Sequence, residues 1–273
     1  MIKKIFIKIK KYLSNKLLDI SLNKKGKSFV FYYNIYCYFK NYTIRAQYIK
    51  KRYYVVDNLK TWQVYPLERF RFYVNGLKYR SEKISKEYLL KNIKFDDDDV
   101  IIDCGANNGD LYLSFNKKIK YYGIEPSPVV FSNLQNNIKN QILINKGLWK
   151  NQQKEIDFYL LDSSGDSSIF EMENYTKKIT IETITLDSLI DKINKKIKLI
   201  KLEAEGSEPE ILEGLNKHLN LVEFITIDVG FERGLNQEQT LVPCLKYLTK
   251  HNFELIDFEA RGRVTALFKN KNI

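Results

Sequence analysis

Acidic residues and glycines come together in one short stretch of the chain, DCGANNG at residues 103–109. Asp103 ends a run of apolar residues that favours a β-strand, and Gly105 and Gly109 bracket the turn that follows. Glycine permits backbone angles and close approaches that a Cβ atom prevents, so such a turn can lie against a ligand. Glu125 follows about twenty residues later, at the spacing where a carboxylate can accept both hydroxyls of a ribose. This spacing predicts a nucleoside-binding site.

The turn has the pattern GxxxG, which differs from the glycine patterns of phosphate-binding turns. It lacks the GxGxxG of nicotinamide-binding enzymes and the GxxxxGK[ST] of phosphate loops. We therefore expect the ligand to be a nucleoside that has no phosphate group to be bound at a helix N-terminus. Two alternatives stay open, namely a tight strand–helix turn in a non-binding α/β protein and a nicotinamide-binding enzyme.

A second group of acids lies in and after the sequence IKLEAEG at residues 200–206. Glu203 and Glu205 end one apolar run, and Asp228 ends the next. Because the carboxyl ends of parallel strands meet at one edge of a sheet, we expect these three carboxylates to line one cleft. They could act as bases or contact substrate hydroxyls. A less favoured alternative is a Mg²⁺ site with Glu203 and Asp228 as ligands.

Apolar runs and helix-like segments alternate from residue 99 to the end of the chain. This alternation predicts an α/β fold with a doubly wound, mainly parallel seven-stranded sheet and a C-terminal antiparallel β-hairpin. The predicted strands are 100–105, 121–126, 141–149, 196–206, 221–230, 253–260 and 263–270, and two further β-like runs lie at 154–162 and 178–186. The predicted helices are 110–118, 127–137, 187–195, 209–219 and 237–250.

The first third of the chain is strongly basic, with 23 Lys and Arg against 5 Asp and Glu in residues 1–95. Such a charge indicates either a solvated surface or contact with an anionic partner. Residues 1–20 place their apolar side chains near one helical face, which predicts either a basic interfacial helix or a helix packed on the protein. We predict an N-terminal extension at 1–65 and a main domain at 66–273, with a hairpin at 69–80 around Asn75-Gly76 and a helix capped by Ser81.

The three cysteines lie far apart and show no metal-ligand spacing, which indicates a protein of the reducing cytoplasm. No apolar run is long enough for a membrane span, and the basic N-terminus does not have the form of a secretory signal.

The motifs of residues 95–260 together resemble the FkbM family of S-adenosylmethionine-dependent methyltransferases. Glu203 departs from the family pattern, which has Asp at that position. The matching residues are Asp103, Gly105, Ala106, Asn107 and Gly109, then Glu125 and Pro126, then Thr185, Leu186 and Asp187, and finally Lys201, Glu205, Gly206 and Glu208.

The resemblance implies a class I, Rossmann-like methyltransferase with S-adenosylmethionine as its cofactor. It implies that Asp103 and the turn at 105–109 hold the methionine part of the cofactor, while Glu125 and Pro126 contact the ribose end. Ser167 or Ser168, in the polar loop at 163–170, is expected at the adenine. On this resemblance the three acids at strand ends are the candidates for the catalytic base and for substrate contacts, namely Glu203, Glu205 and Asp228.

The resemblance also implies a small-molecule or glycan acceptor, most simply a sugar hydroxyl in a surface polysaccharide or glycolipid precursor. Such an enzyme would work in the cytoplasm, with peripheral contact to the inner face of the membrane through residues 1–20. The alternative from another class is a methyltransferase or binding protein that acts on RNA or another anionic polymer through its basic N-terminal third.

Overall fold

The computed structural model describes residues 16–273, which form two compact units. The division falls between Arg80 and Ser81, inside the helix Gly76–Glu87. The functional boundary that we predict between residues 65 and 66 stays a prediction.

Among the described residues, the first unit begins with two helical segments followed by a three-stranded antiparallel sheet. Residues 16–22 are helical, whereas most of the pattern predicted for residues 1–20 lies outside the described residues. The remaining elements are helix α1 (Gly26–Lys40) and strands β1 (Arg45–Ile49), β2 (Arg52–Asp57) and β3 (Lys60–Gln63).

The hairpin that we predict at residues 69–80 is wrong. A 3₁₀-helix at Leu67–Tyr73 is followed by helix α2 at Gly76–Glu87. The backbone nitrogen of Leu77 donates a hydrogen bond to Asp57 Oδ2 over 2.8 Å, so a carboxylate distant in sequence caps the helix. Since the cap comes from β2, the local Asn-Gly signal is overridden, and Ser81 lies inside the helix rather than at its start.

The second unit is built around a seven-stranded sheet with helices from the connections between strands. The strands are β4 (Val100–Cys104), β5 (Lys120–Ile124), β6 (Ile142–Ile144), β7 (Gly147–Leu148), β8 (Ile156–Leu160), β9 (Lys177–Ile181), β10 (Thr183–Ile184), β11 (Ile197–Leu202), β12 (Val222–Asp228), β13 (Phe231–Arg233), β14 (Glu238–Gln239), β15 (Phe253–Glu259) and β16 (Thr265–Asn270). The helices are α3 (Pro128–Asn137), α4 (Leu186–Ile193), α5 (Glu208–Glu213) and α6 (Leu241–Lys250), with short 3₁₀-helices at Leu90–Asn92, Asp110–Ser114 and Leu219–Leu221.

The order of the main sheet is β15-β16-β12-β11-β4-β5-β6. The pairs from β12 to β6 are parallel, and β16 runs antiparallel to both β12 and β15. The predicted α/β class, the seven strands and the closing hairpin are therefore confirmed. The register places Asp103 of β4 opposite Lys201 of β11, so the carboxyl ends of the two central strands meet.

Three predicted elements are clearly shorter in the structure, among them the helix predicted at 209–219, which is α5 (Glu208–Glu213) and has Gly214 as its C-cap. The helix predicted at 110–118 is a 3₁₀-helix of five residues, of which only Asp110 and Leu111 are buried, so no apolar face supports a longer helix. The strand predicted at 141–149 is interrupted between β6 and β7, where the Asn145 side chain donates a hydrogen bond to the carbonyl oxygen of Glu125 over 2.8 Å.

Candidate functional site

The glycine turn after β4 packs closely against neighbouring backbone. Gly105 has φ +71°, and a Cβ atom there would lie 2.0 Å from the carbonyl oxygen of Glu203. Gly109 has φ +89°, and its Cβ would lie 2.6 Å from Ile138 Cδ1, just beyond α3. Both glycines are thus required by the packing of the turn itself. Their predicted contact with a ligand stays a prediction.

The backbone N–H groups of this turn are satisfied within the protein. The N–H groups of Gly105 and Ala106 both donate to the carbonyl oxygen of Ile124 over 3.0 Å. The N–H group of Asn107 donates to the Glu125 carboxylate over 3.0 Å, and that of Asn108 donates to the side-chain oxygen of Asn107 over 2.9 Å. The N–H group of Gly109 donates to the carbonyl oxygen of Ala106 over 2.8 Å. A phosphate cradle needs free N–H groups that point at the ligand. The turn therefore suits a ligand that carries no phosphate at this point.

Glu125 is held rigidly at the end of β5. It is buried, and its two carboxylate oxygens accept hydrogen bonds from the backbone nitrogens of Asn107 over 3.0 Å and Ser127 over 2.9 Å. These two bonds fix the orientation of both carboxylate oxygens at the carboxyl end of β5. The carbonyl oxygen of Pro126 accepts from Asn145 over 3.1 Å, which fixes the chain directly after Glu125. This arrangement fits the two hydroxyls of a ribose.

Asp103 is fully buried and lies behind the turn. The Tyr121 hydroxyl donates to its Oδ2, and Lys201 Nζ lies 3.0 Å from its Oδ1. Lys201 also donates to the carbonyl oxygens of Cys104 and Gly105, each over 2.9 Å. Burial would lower the pKa of Lys201, but Asp103 and Glu203 hold it above its usual range. Lys201 thus ties the turn to the sheet, and a direct contact of Asp103 with the cofactor stays a prediction.

A guanidinium group joins two of the strand-end acids. Arg263 Nη1 donates to Glu203 Oε1 and, over 2.5 Å, to Asp228 Oδ2, while Lys201 Nζ lies 2.9 Å from Glu203 Oε2. Burial raises the pKa of Glu203, yet the charges of Arg263 and Lys201 hold it well below its usual range. Burial also raises the pKa of Asp228, against the effect of Arg263. Glu203 is therefore an ionised hydrogen-bond acceptor and a weak base.

Within residues 16–273 no group of three or more His, Cys, Asp or Glu side chains could hold a metal ion. Between Glu203 and Asp228 the positive charge is that of Arg263. A Mg²⁺ ion bound by these two carboxylates would require the guanidinium to move away.

Two further carboxyl groups near the acids have pKa values shifted upward. Glu205 has φ +49° in the turn after β11, and burial followed by the charges of Glu232 and Asp166 raises its pKa well above the usual range. Glu232, on β13, is exposed as a whole residue. Its pKa rises to about 8 because protein atoms displace water around the carboxyl group and because Asp228 and Glu203 lie near it. A carboxyl group with a pKa of about 8, as at Glu232, can exchange a proton near neutral pH.

Glu232 and Arg263 are the residues that our sequence interpretation missed. Glu232 lies four residues after Asp228 in the sequence IDVGFE, a spacing that places it just past the end of β12. Arg263 lies in the turn before β16, and only the pairing of β16 with β12 brings it to Asp228. No local pattern signals that contact.

Arg233 fastens the β13–β14 hairpin to the turn after β11. Its Nη1 donates to the carbonyl oxygen of Gly206 over 2.7 Å, and its two terminal nitrogens pair with Glu210 over 2.8 and 2.6 Å. The guanidinium carbon lies 4.0 Å from the centre of the Phe170 ring. The hairpin that carries Glu232 is thus held in a defined position.

The polar loop at 163–170 is attached to the same turn. Ser168 is buried, and its hydroxyl donates to the carbonyl oxygen of Glu205 over 2.8 Å. The Ser167 hydroxyl accepts from the backbone nitrogen of Leu161 over 3.1 Å. Both hydroxyls therefore make bonds within the protein, and their predicted contact with adenine stays a prediction.

These strand ends and the acid-flanked turn, which has no phosphate cradle, form a candidate site for a nucleoside cofactor in an α/β fold. The methyltransferase FkbM domain matches residues 103–255. The chain belongs to this family, and the resemblance seen in its motifs is confirmed. The cofactor of the protein is S-adenosylmethionine, as its membership of this methyltransferase family indicates. The matched range contains every residue that we predict for the cofactor and the catalytic acids, but not Arg263.

Two characterised relatives share part of this chain. The hexuronic acid methyltransferase AglP of Haloferax volcanii is 29% identical over 145 residues, which cover 49% of this chain and 57% of that protein. Methyltransferase 1 of Beauveria bassiana is 23% identical over 206 residues, which cover 60% of this chain and 80% of that protein. The chain thus spans little more than half the length of the first relative.

Among solved structures, the chain is similar to the magnesium protoporphyrin IX methyltransferase of Synechocystis PCC 6803. The TM-score is 0.41 at 9% identity, over 71% of this chain and 79% of that one. The chain is also similar to the fibrillarin of Aeropyrum pernix, with a TM-score of 0.40 at 11% identity, over 67% of this chain and 73% of that one. As to membrane insertion, none of the helices in residues 16–273 has the length and apolar character to span a bilayer.

Proposed function

We propose that this protein is an O-methyltransferase that transfers the methyl group of S-adenosylmethionine to a hydroxyl group of a sugar. The sugar would belong to a surface polysaccharide or a glycolipid precursor. The observation that carries the proposal is the group of carboxylates around Glu203, Asp228 and Glu232, since such groups bind sugar hydroxyls and accept their protons. The similarity to a hexuronic acid methyltransferase supports it.

The cofactor site would be formed by the turn at 105–109 and Glu125. Glu125 would accept hydrogen bonds from the ribose hydroxyls, because both of its carboxylate oxygens are held in place at the carboxyl end of β5, next to the glycine turn. The bound cofactor supplies an electrophilic methyl group on a cationic sulfur. Lys201 and Asp103 would act as positioning residues that hold the turn in place.

The acids would orient and deprotonate the acceptor. Glu203 and Asp228, fixed by Arg263, would accept hydrogen bonds from the sugar. Glu232 would take the proton of the reacting hydroxyl, since its pKa is raised to about 8, and Glu205, whose pKa is raised well above its usual range, is the alternative base. The new O–C bond forms as the C–S bond breaks, and S-adenosylhomocysteine leaves with the electron pair on sulfur.

We further propose that the enzyme works in the cytoplasm, with residues 66–273 as the catalytic domain and residues 1–65 as an extension. All three cysteines are free and buried, which supports a reducing compartment.

The test is transfer of labelled methyl from S-adenosylmethionine to a panel of neutral sugars, uronic acids, glycolipids and RNA. We expect label in a sugar-containing acceptor, and a slower rate with Glu232→Gln or Glu205→Gln. The exposed acid Glu254 on β15 provides the matched control Glu254→Gln, which should leave the rate unchanged. Label that appears only in RNA would replace the sugar proposal with the anionic-polymer alternative, and label in none of these acceptors would overturn it.

A further inference from the structure

Helix α1 exposes several aromatic rings on one side. The exposed fractions are 61% for Phe31, 71% for Tyr38 and 47% for Phe39. Spacings of seven and eight residues place these side chains on the same face of a helix, which we name the aromatic face. The opposite side of α1 provides the buried residues Phe29, Tyr33, Tyr36 and Cys37. Among the described residues of the first unit, α1 therefore packs through the side opposite the aromatic face.

Lysines without ion-pair partners flank the aromatic face. Lys27 lies one helical turn before Phe31, and Lys24 and Lys25 directly precede α1. All three are exposed, and none forms an ion pair with another described residue. Residues 16–80 as a whole carry 14 Lys and Arg against three acids. The positive charge of this unit is thus not neutralised from within.

We propose that the aromatic face of α1, with Lys24, Lys25 and Lys27, binds the surface of an anionic lipid bilayer. Aromatic rings beside lysines fit the boundary between lipid headgroups and acyl chains, where the rings leave water and the ammonium groups meet negative lipid. The net charge of the unit is complementary to such a surface. The helix lies on the membrane and does not cross it.

RNA fits the same residues less well. Binding to single strands requires aromatic rings within a basic groove that follows the phosphate backbone. The three rings lie instead along the outer face of a single helix, where a planar surface can contact all of them at once. The lipid proposal is independent of the identity of the methyl acceptor.

The experiment is co-sedimentation of the full chain with phosphatidylcholine vesicles, with and without phosphatidylglycerol. We expect binding that requires the anionic lipid and weakens at high salt. The double variant Phe31→Ala/Tyr38→Ala should bind about tenfold more weakly, because two exposed rings no longer leave water. Lys24→Gln/Lys27→Gln should weaken binding by about tenfold or more at low salt, since two ammonium groups no longer meet the anionic surface.

The matched control is Tyr175→Ala/Phe258→Ala, which removes one tyrosine and one phenylalanine that are 40% and 43% exposed in the second unit. It should bind as the wild type does. Circular dichroism should show that all variants are folded, because the changed side chains lie outside the core.

Absence of binding to anionic vesicles, or equal binding by the aromatic variant and the wild type, would overturn the proposal. A dimer that dissociates in Phe31→Ala/Tyr38→Ala would also overturn it and assign the aromatic face to a second copy of the chain. Loss of RNA binding in that variant, without vesicle binding by the wild type, would assign the face to RNA instead.

Discussion

Replacement of Lys201 by methionine tests the buried charge network beneath the glycine turn. The ammonium group contacts Asp103 Oδ1 at 3.0 Å, Glu203 Oε2 at 2.9 Å and the carbonyl oxygens of Cys104 and Gly105 at 2.9 Å. Methionine keeps much of the volume but none of these interactions. The variant therefore removes the ammonium group from a buried carboxylate, which keeps the Tyr121 hydroxyl as a side-chain donor, and from two carbonyl oxygens.

The size of the expected loss in the free energy of unfolding follows from the burial of the ion pair between Lys201 and Asp103. The side chains of Lys201 and Asp103 are 3% and 1% exposed, so solvent cannot replace the lost contact. Removal of one partner of a buried ion pair costs about 3–5 kcal/mol. Glu203 retains Arg263, so the penalty falls mainly on Asp103 and the turn. We expect Lys201→Met to lower the free energy of unfolding by about 3–5 kcal/mol, a large part of the usual 5–15 kcal/mol.

The assay is urea denaturation, with calorimetric binding of S-adenosylhomocysteine measured alongside. The control is Lys198→Met on the same strand, where the pair with Glu223 is partly exposed and should contribute about 1 kcal/mol or less. The destabilisation by Lys201→Met should shrink as pH falls, because loss of the cation raises the pKa of Asp103 and protonation then removes its charge. Equal costs for the two lysine variants, or unchanged ligand affinity in Lys201→Met, would refute this reasoning.

Two further variants probe the same region. Gly105→Ala places a Cβ atom 2.0 Å from the carbonyl oxygen of Glu203 and should cost at least about 2 kcal/mol in urea denaturation. Gly262→Ala has a positive φ but no atom within 4 Å of its Cβ, and a cost as large there would contradict the steric explanation. Glu208 is buried and its pKa rises to about 7, so its ionisation should lower stability by about 3 kcal/mol as pH rises from about 4.5 past 7. Glu208→Gln should reduce the stability difference between pH 5 and pH 8, and an unchanged difference would contradict the burial of a neutral carboxyl group.

The main sheet could be predicted because its signals are local. Each strand is an apolar run bounded by polar residues or glycine, and Arg261-Gly262 marks the turn of the closing hairpin. Helix α2 could not be predicted because its start depends on Asp57, which reaches Leu77 only after β2 has folded. There the Asn75-Gly76 signal favoured the wrong element.

The charge states of the carboxyl groups in the site depend on which strands are neighbours in the sheet, and a local sequence motif does not show this. The sequence places Glu203 and Asp228 at strand ends, and the structure joins them through Arg263, which lies sixty residues after Glu203. The sequence left Glu203 as either a base or a substrate contact, and its contacts with Arg263 and Lys201 make it a weak base. Proton affinity is set by neighbours across the sheet, and these follow from the complete topology.

The most direct test of the cofactor site is calorimetric titration of S-adenosylhomocysteine into the full chain and Glu125→Gln, with the exposed acid variant Glu155→Gln as control. We predict binding by the wild type and the control, and about tenfold weaker binding by Glu125→Gln, because a charged acceptor for the ribose hydroxyls is lost. A folded wild type that does not bind, or a Glu125→Gln variant that binds equally well, would contradict the assignment of this strand end to the cofactor.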